Sequence, residues 1–464
     1  MVSVTRRGFL GGVLIAGTGA WSSAAGAAPA PAFTGPGAAP SAVSGAPGTV
    51  ALQWNLIAQN TLQPQTPMSP MGSTTMAMSG TLSMPKAFVI LSYAHAAMYN
   101  AVVAIEGGYQ PYMVATTAPA GASAPAAAAA AVHAVLVKFV PTQQEMLDME
   151  LWNTLKAVGS TYGDRAKGTA VGRAAAAAIL ALRADDGLDA VVTVPSSTAP
   201  GAWVPLPTMT DPTTSMLPLD PWVAQLKPFV MTTPSQFRPG PPPTLSSRTY
   251  VRDLEEVRLY GGKESTPGTK LLRTTEQGGV ALFWQTNGVI QYNEMFRAVA
   301  QQRGLGLLEA ARFFAMGNLI GTDSMVAAFD AKYHYRLWRP WTAIRRANED
   351  GSAVTVSDPA WWHLAMLPNH PEYVAAHTTF ASATAEMLTV FLGTRSIGIT
   401  LKSTAPMAPP EFSYATAEDL RSQVINARTW GGLHYRNSSV VGNDVGRKVA
   451  VHALKNHFKP VGRR

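Results

Sequence analysis

The chain has 464 residues, 47% of them hydrophobic and 14% charged, which is enough apolar content to bury a large core and excludes a disordered or fibrous protein. Its formal charge of +8 is spread without a basic stripe or run, which argues against nucleic-acid binding and suits a site for an anion. There are no cysteines, so disulfides, thiolate metal sites and a cysteine nucleophile are excluded.

The N-terminus reads Thr5-Arg6-Arg7-Gly8-Phe9-Leu10, then a short Gly-rich apolar stretch to about Trp21, then Ala25-Gly26-Ala27 with small side chains at cleavage positions. This three-part pattern predicts a twin-arginine export signal over residues 1–27, and with it a periplasmic or extracellular protein. Loss of Arg6 and Arg7 with that segment leaves a charge of about +6. The apolar stretch is too short for a permanent membrane anchor, and no later run of 18 residues lacks a polar interruption. Residues 28–48 are rich in Ala, Pro, Gly and Ser and read as a flexible linker. The remainder, 49–464, reads as one large all-α helical-bundle domain.

Helical spacing begins at Val50 with Leu52, Leu56 and Ile57. A loop over about 64–85 carries Met68, Met71, Met76, Met78 and Met84, whose thioethers are expected to pack on the body rather than bind soft metals. Helices are predicted at about 86–105, 124–139, 142–160 and 165–185, with Leu147, Leu151, Leu155 and Val158 as the apolar face of the third. The alanine runs 126–131 and 174–178 favour helix and close helix–helix contact. Residues 186–247 are Pro- and Thr-rich, with Pro239, Pro241, Pro242 and Pro243 clustered, and predict a long irregular segment that shapes a site entrance. Helices resume at about 247–260, 268–286, 292–302, 305–332, 373–393, 417–434 and 440–457.

Three stretches carry chemistry. In the first, Lys332 and Arg339 are seven apart at the end of a long helix stopped by Pro340, a spacing that puts both cations on one face about 10 Å apart, beside Tyr333, Trp338 and Trp341. In the second, Val374-Ala375-Ala376-His377 opens a helix, where free backbone N–H groups such as that of Ala376 favour an anion. In the third, Arg428 and His434 are six apart with Gly431 and Gly432 between them, where the backbone permits close approach of a ligand. Guanidinium groups bind oxyanions bidentately, and a neutral imidazole nitrogen ligates or attacks.

In order and spacing, Lys-x6-Arg-Pro, small-small-His and Arg-x5-His together resemble the three-part signature of the vanadium-dependent haloperoxidases and type 2 phosphatidic-acid phosphatases. Trp54-Asn55, Ala94 to Val102, Arg183 to Gly187 and Phe237-Arg238-Pro239 look like the soluble bacterial haloperoxidase-like branch, so the resemblance runs from about residue 50 to the C-terminus. It implies that Lys332, Arg339 and Arg428 neutralise the oxygens of vanadate, or of phosphate in the same site. His434 becomes the axial ligand to vanadium or the phosphoryl acceptor, and His377 the acid–base residue.

The activity so implied is halide oxidation by hydrogen peroxide. An exported acid phosphatase acting on phosphomonoesters through a phospho-His is the alternative, and a non-catalytic oxyanion-binding protein a second one. Beyond small molecules the reading calls for no nucleic acid and no permanent membrane anchor, and it admits a homo-oligomer.

The chain departs from that signature in two places. The usual Pro-Ser-Gly-His reads Val374-Ala375-Ala376-His377, and a lost hydroxyl donor to an anion costs roughly 1.5–3 kcal/mol. Four residues past His434, Ser438 stands where an aspartate is expected, so Arg428 is expected to lack its carboxylate. Of the other histidines, His95 reads as buried and structural, while His334 and His370 are expected to back the site.

Overall fold

The computed structural model describes residues 47–64, 82–207 and 215–461. By its internal contacts the chain divides into 1–42 and 43–464, and everything described lies in the second unit. The export signal, most of the linker and Met68, Met71, Met76 and Met78 lie outside the described residues.

Five helices form the first half: α1 (Pro47–Leu62), α2 (Met84–Glu106), α3 (Ala124–Phe139), α4 (Gln144–Ala157) and α5 (Tyr162–Leu182). Thus α1 begins just inside the range expected to be linker. The second half holds α6 (Arg248–Tyr260), α7 (Thr275–Phe283), α8 (Gly288–Gln302), α9 (Leu307–Tyr335), α10 (Pro340–Arg345) and α11 (Ala376–Leu392). An antiparallel hairpin of four residue pairs follows, β1 (Ile399–Lys402) with β2 (Glu411–Tyr414), then α12 (Ala417–Trp430) and α13 (Arg436–Asn456). The all-α expectation holds. The small hairpin and α10 are additions to it, and α7 is shorter than the predicted 268–286 because Thr274 caps it with Gln277 in a reciprocal box.

Helix α2 is the centre of the first half and is buried on nearly every side. Its length and apolarity would suffice to cross a membrane, but that surface is covered by the surrounding helices. Ala126 to Ala131 of α3 are fully buried. They let α5 approach so closely that a Cβ on Gly172 would lie 2.2 Å from the Ala127 carbonyl. The alanine run therefore serves packing as well as propensity. Leu147 and Leu151 of α4 are buried, and Leu155 and Val158 pack at the edge.

Helix α9 runs through the middle of the molecule, buried from Leu307 to Lys332 over most of its surface. It ends when Arg336 enters the left-handed region at φ 50°, its N–H returning to the Lys332 carbonyl. Residues 336–338 then run extended beside 201–203: Trp203 N donates to Arg336 O at 2.7 Å and Trp338 N to Gly201 O at 2.9 Å.

The described residues of 183–247 are irregular apart from a short 3-10 turn (Pro221–Gln225), whose Trp222 and Val223 pack into the core with Leu226 and Phe229, and buried polar groups also hold the segment down. Asp323 of α9 accepts from Phe229, Val230 and Met231 N–H at 2.7–2.8 Å. Arg238 forks onto Asp330 with two 2.7 Å bonds. Asn369 bonds Leu206 N and the carbonyls of Met216 and Leu217. The segment thus lies against both α9 and the loop that leads to His377.

His95 is buried and structural: its Nδ1 lies 2.8 Å from the Leu91 carbonyl and its Nε2 3.0 Å from Asn55 Nδ2. Burial lowers its pKa to about 4, so it is neutral in the fold.

Candidate oxyanion site

Lys332 reaches the site from the last turn of α9, fully buried. Arg339 does not follow it along the helix. The left-handed Arg336 ends α9 three residues earlier, and Arg339 is extended (φ −79°, ψ 153°) as the residue before Pro340, which starts α10. The same-face reading of the seven-residue spacing is therefore corrected: a chain turn, not two helical turns, brings the two cations together. His334 is corrected as well, since it is exposed and faces Tyr335 rather than the site.

Lys332 Nζ donates to the Pro371 and Glu372 carbonyls, each at 2.9 Å, which leaves one of its three N–H donors free of them. Arg339 spreads its fork over two loops: Nε to His370 O at 2.8 Å, one terminal nitrogen to Leu433 O at 2.9 Å, and the other to His370 Nδ1 at 2.9 Å. The nitrogen that bonds Leu433 also lies 3.2 Å from His434 Nε2. His370 is thus a contact of the site, as expected.

Arg428, in the last turn of α12, makes one hydrogen bond among the described residues, to Trp284 O at 3.2 Å, and its buried Nε has no partner. The carboxylate missing at Ser438 is not replaced at Arg428. The glycines that follow break the helix at Trp430, so His434 sits on a loop between α12 and α13 rather than in the predicted 417–434 helix. A Cβ on Gly432, at φ 77°, would fall 2.4 Å from the Gly261 carbonyl, which shows how tightly that loop turns.

Helix α11 begins at Ala376, three residues later than predicted, with Ala375 as an N-cap that provides no side-chain hydrogen bond. Ala376 and His377 are its first residues, so their N–H groups are among those without a helical acceptor. His377 keeps part of its surface open and faces the Trp284 carbonyl, the group that also receives Arg428. The packing of α11 on α13 is what joins the second and third motifs: a Cβ on Gly446 would lie 2.0 Å from Thr379 O.

Glu372 was missed in the sequence. It is fully buried, and its Oε1 lies 2.8 Å from His434 Nδ1 and 3.1 Å from Tyr435 N. The clue was available in principle: three cations gathered in a core require a carboxylate, and Glu372 stands five residues before His377. Its neighbour Trp338 is wholly buried, while Trp341 pairs with the exposed Trp362 at 5.6 Å between ring centres.

Electrostatically the site is one carboxylate against Lys332, Arg339 and Arg428, an excess of two positive charges in a buried place. Burial, then the charge of Arg339, pushes Lys332 well below its usual pKa. Burial lowers Arg339 to about 10 and, with Arg339 beside it, Arg428 to about 9. Burial and the neighbouring cations hold His370, His377 and His434 well below 6.5, so all three imidazoles are neutral. Glu372 is raised to about 7 by burial, against the pull of Lys332 and Arg339. An anion with several oxygens and more than one negative charge relieves each of these costs and satisfies the orphaned Arg428 Nε. Vanadate and phosphate both meet that description, so the residues present fit the group.

Residues 312–462 match the family described as the VCPO second helical-bundle domain, a span that contains Lys332, Arg339, His377, Arg428 and His434. A search of curated proteins finds no match. Among solved structures, a bacterial vanadium-dependent iodoperoxidase superposes with a TM-score of 0.70 at 19% identity, covering 91% of this chain and 98% of that one. The holo form of a bacterial vanadium-dependent chloroperoxidase gives 0.65 at 17% identity, covering 83% of this chain and 94% of that one. The apo form gives 0.64 at 16% identity, covering 83% and 96%. At these identities the likeness is one of fold. The fold is thus the one seen in bacterial vanadium-dependent haloperoxidases, and residues 312–462 carry the match to the VCPO second helical-bundle domain.

Proposed function

We propose that the protein is a vanadate-dependent haloperoxidase-like oxidoreductase that oxidises halide with hydrogen peroxide, exported by the twin-arginine route to act in the periplasm or outside the cell. The observation that supports this best is the gathering of three buried cations around His434, whose Nε2 lies 3.2 Å from Arg339, with Glu372 as the one buried carboxylate in contact with that ring among the described residues. Vanadate, when bound, supplies the Lewis acid that makes peroxide electrophilic toward halide.

The chain's own residues do the rest. Arg428 has most of its fork available for two oxygens at once. Lys332 contributes its remaining N–H, and an anion beside it favours its charged form. The first turn of α11 adds backbone donors and the positive end of the helix dipole. His377 faces the Trp284 carbonyl with one ring nitrogen and, being neutral, keeps the other as a base for the proton that hydrogen peroxide gives up. Export removes the source of hypohalous acid from the cytoplasm.

The test is to assay the purified protein with and without orthovanadate, for bromide and iodide oxidation by peroxide and for phosphomonoester cleavage. Vanadate-stimulated halide oxidation, lost in His434→Ala, is expected. Phosphomonoester cleavage inhibited by vanadate would replace this reading with an acid phosphatase in which His434 accepts the phosphoryl group. Phosphate binding with neither activity would leave an oxyanion-binding protein.

A further inference from the structure

Glu372 is tied to each of the three motif segments. Its N–H donates to Leu337 O at 3.0 Å, its carbonyl accepts from Lys332 Nζ, and its side chain meets His434 and Tyr435. A neutral imidazole carries one N–H, on either Nδ1 or Nε2. At the Nδ1 end the partner is Glu372 Oε1, which already accepts the Tyr435 N–H and so faces the ring as an acceptor. At the Nε2 end the partner is Arg339, whose guanidinium only donates. A proton on Nε2 would set donor against donor there and leave acceptor against acceptor at Glu372. Both ends of the ring therefore require the same tautomer.

We infer that Glu372 is a positioning residue that holds His434 with its proton on Nδ1, so that the Nε2 lone pair is presented to the oxyanion cradle. The identity of the anion rests on the function proposed above; the orientation of the ring does not. The position where the resemblance expects an aspartate, four residues past His434, is the buried Ser438, whose hydroxyl adjoins the same carboxylate. The carboxylate that faces His434 comes from the loop before α11. That couples the second motif to the third through a side chain as well as through helix packing.

The test uses full-length protein labelled with ¹⁵N-histidine, the His434 signals being assigned by their loss in His434→Ala. In the wild type Nδ1 should appear as the protonated, pyrrole-type nitrogen and Nε2 as the pyridine-type one. Glu372→Gln, whose amide oxygen can still accept, should keep that pattern. Glu372→Leu leaves only Arg339 to bias the ring, so the pattern should weaken to a mixture of the two tautomers, and orthovanadate binding should weaken by about 10–100-fold in calorimetry.

A wild-type His434 protonated on Nε2, or a Leu variant with Nδ1 still fully protonated, would overturn the inference. Should the Leu variant fail to fold, as judged by the other histidine signals, the wild-type and Gln spectra decide the matter. Wild-type protein that binds no orthovanadate but shows the Nδ1–H tautomer would remove the proposed function and leave the positioning role standing.

Discussion

At the scale of single residues, the candidate site gathers buried positive charge that the fold itself leaves unbalanced. Arg428 is a buried cation with one carbonyl for company, and removing an uncompensated buried charge is commonly neutral or stabilising. In anion-free buffer, Arg428→Met should raise unfolding stability by about 1–3 kcal/mol in urea titrations. The same variant should bind orthophosphate or orthovanadate roughly a hundredfold more weakly, since two charge-assisted hydrogen bonds disappear. A variant that is less stable and binds equally well would mean that Arg428 is a structural strut.

Ala375 is the converse case. As an extended N-cap without a side-chain bond, it can be replaced by serine, which should add about 1 kcal/mol to stability through the cap. The serine hydroxyl should also tighten oxyanion binding by about tenfold, read by calorimetry alongside the melting temperature. All five cradle residues named from spacing do meet in the fold. That three gathered cations call for a carboxylate is legible, but nothing in a linear sequence marks a glutamate two residues past His370 as the partner of an imidazole 62 positions away.

At the scale of elements, helix positions followed from apolar periodicity, but the way the site is assembled did not. Lys332 and Arg339 looked like one helical face. In the fold a left-handed residue and an extended turn separate them, because Pro340 favours an extended residue before it and opens a new helix. The close contact of α11 with α13 is equally specific. Gly446→Ala gains up to about 1 kcal/mol of helix propensity but puts a methyl group 2.0 Å from Thr379 O. Overpacking at about 2–3 kcal/mol should win, giving a net loss of stability in urea titration. Anion binding should fall with it, since Thr379 lies two residues past His377. An unchanged melting temperature would mean that α11 and α13 move apart freely.

At the scale of the whole molecule, acidity acts through groups that the fold buries neutral. His95 titrates at about 4 when folded and near 6.5 when unfolded. The unfolded chain therefore binds more protons between those values. The stabilisation is fully present above pH 6.5 and is lost as pH falls toward 4, about 3 kcal/mol from this residue alone. His370, His377 and His434 act in the same direction. Asp323 opposes them: burial raises it to about 6, so its contribution is present below pH 3.8 and lost as pH rises through 6. Urea midpoints measured from pH 7 to 4.5 should fall, and Asp323→Asn should make the fall steeper. A midpoint that rises on acidification would contradict the neutral-histidine core.

By itself the sequence determined the class of fold and the order of the helices, because apolar periodicity is local and survives in one dimension, and its resemblance to a three-part signature named five residues of the candidate oxyanion site. Only the tertiary structure decided that Arg339 comes from a turn, that Glu372 stands beneath His434, and that Arg428 is left without a carboxylate. Those are facts about which side chains exclude water together. Desolvation and pairing arise when segments distant along the chain close over the same few atoms.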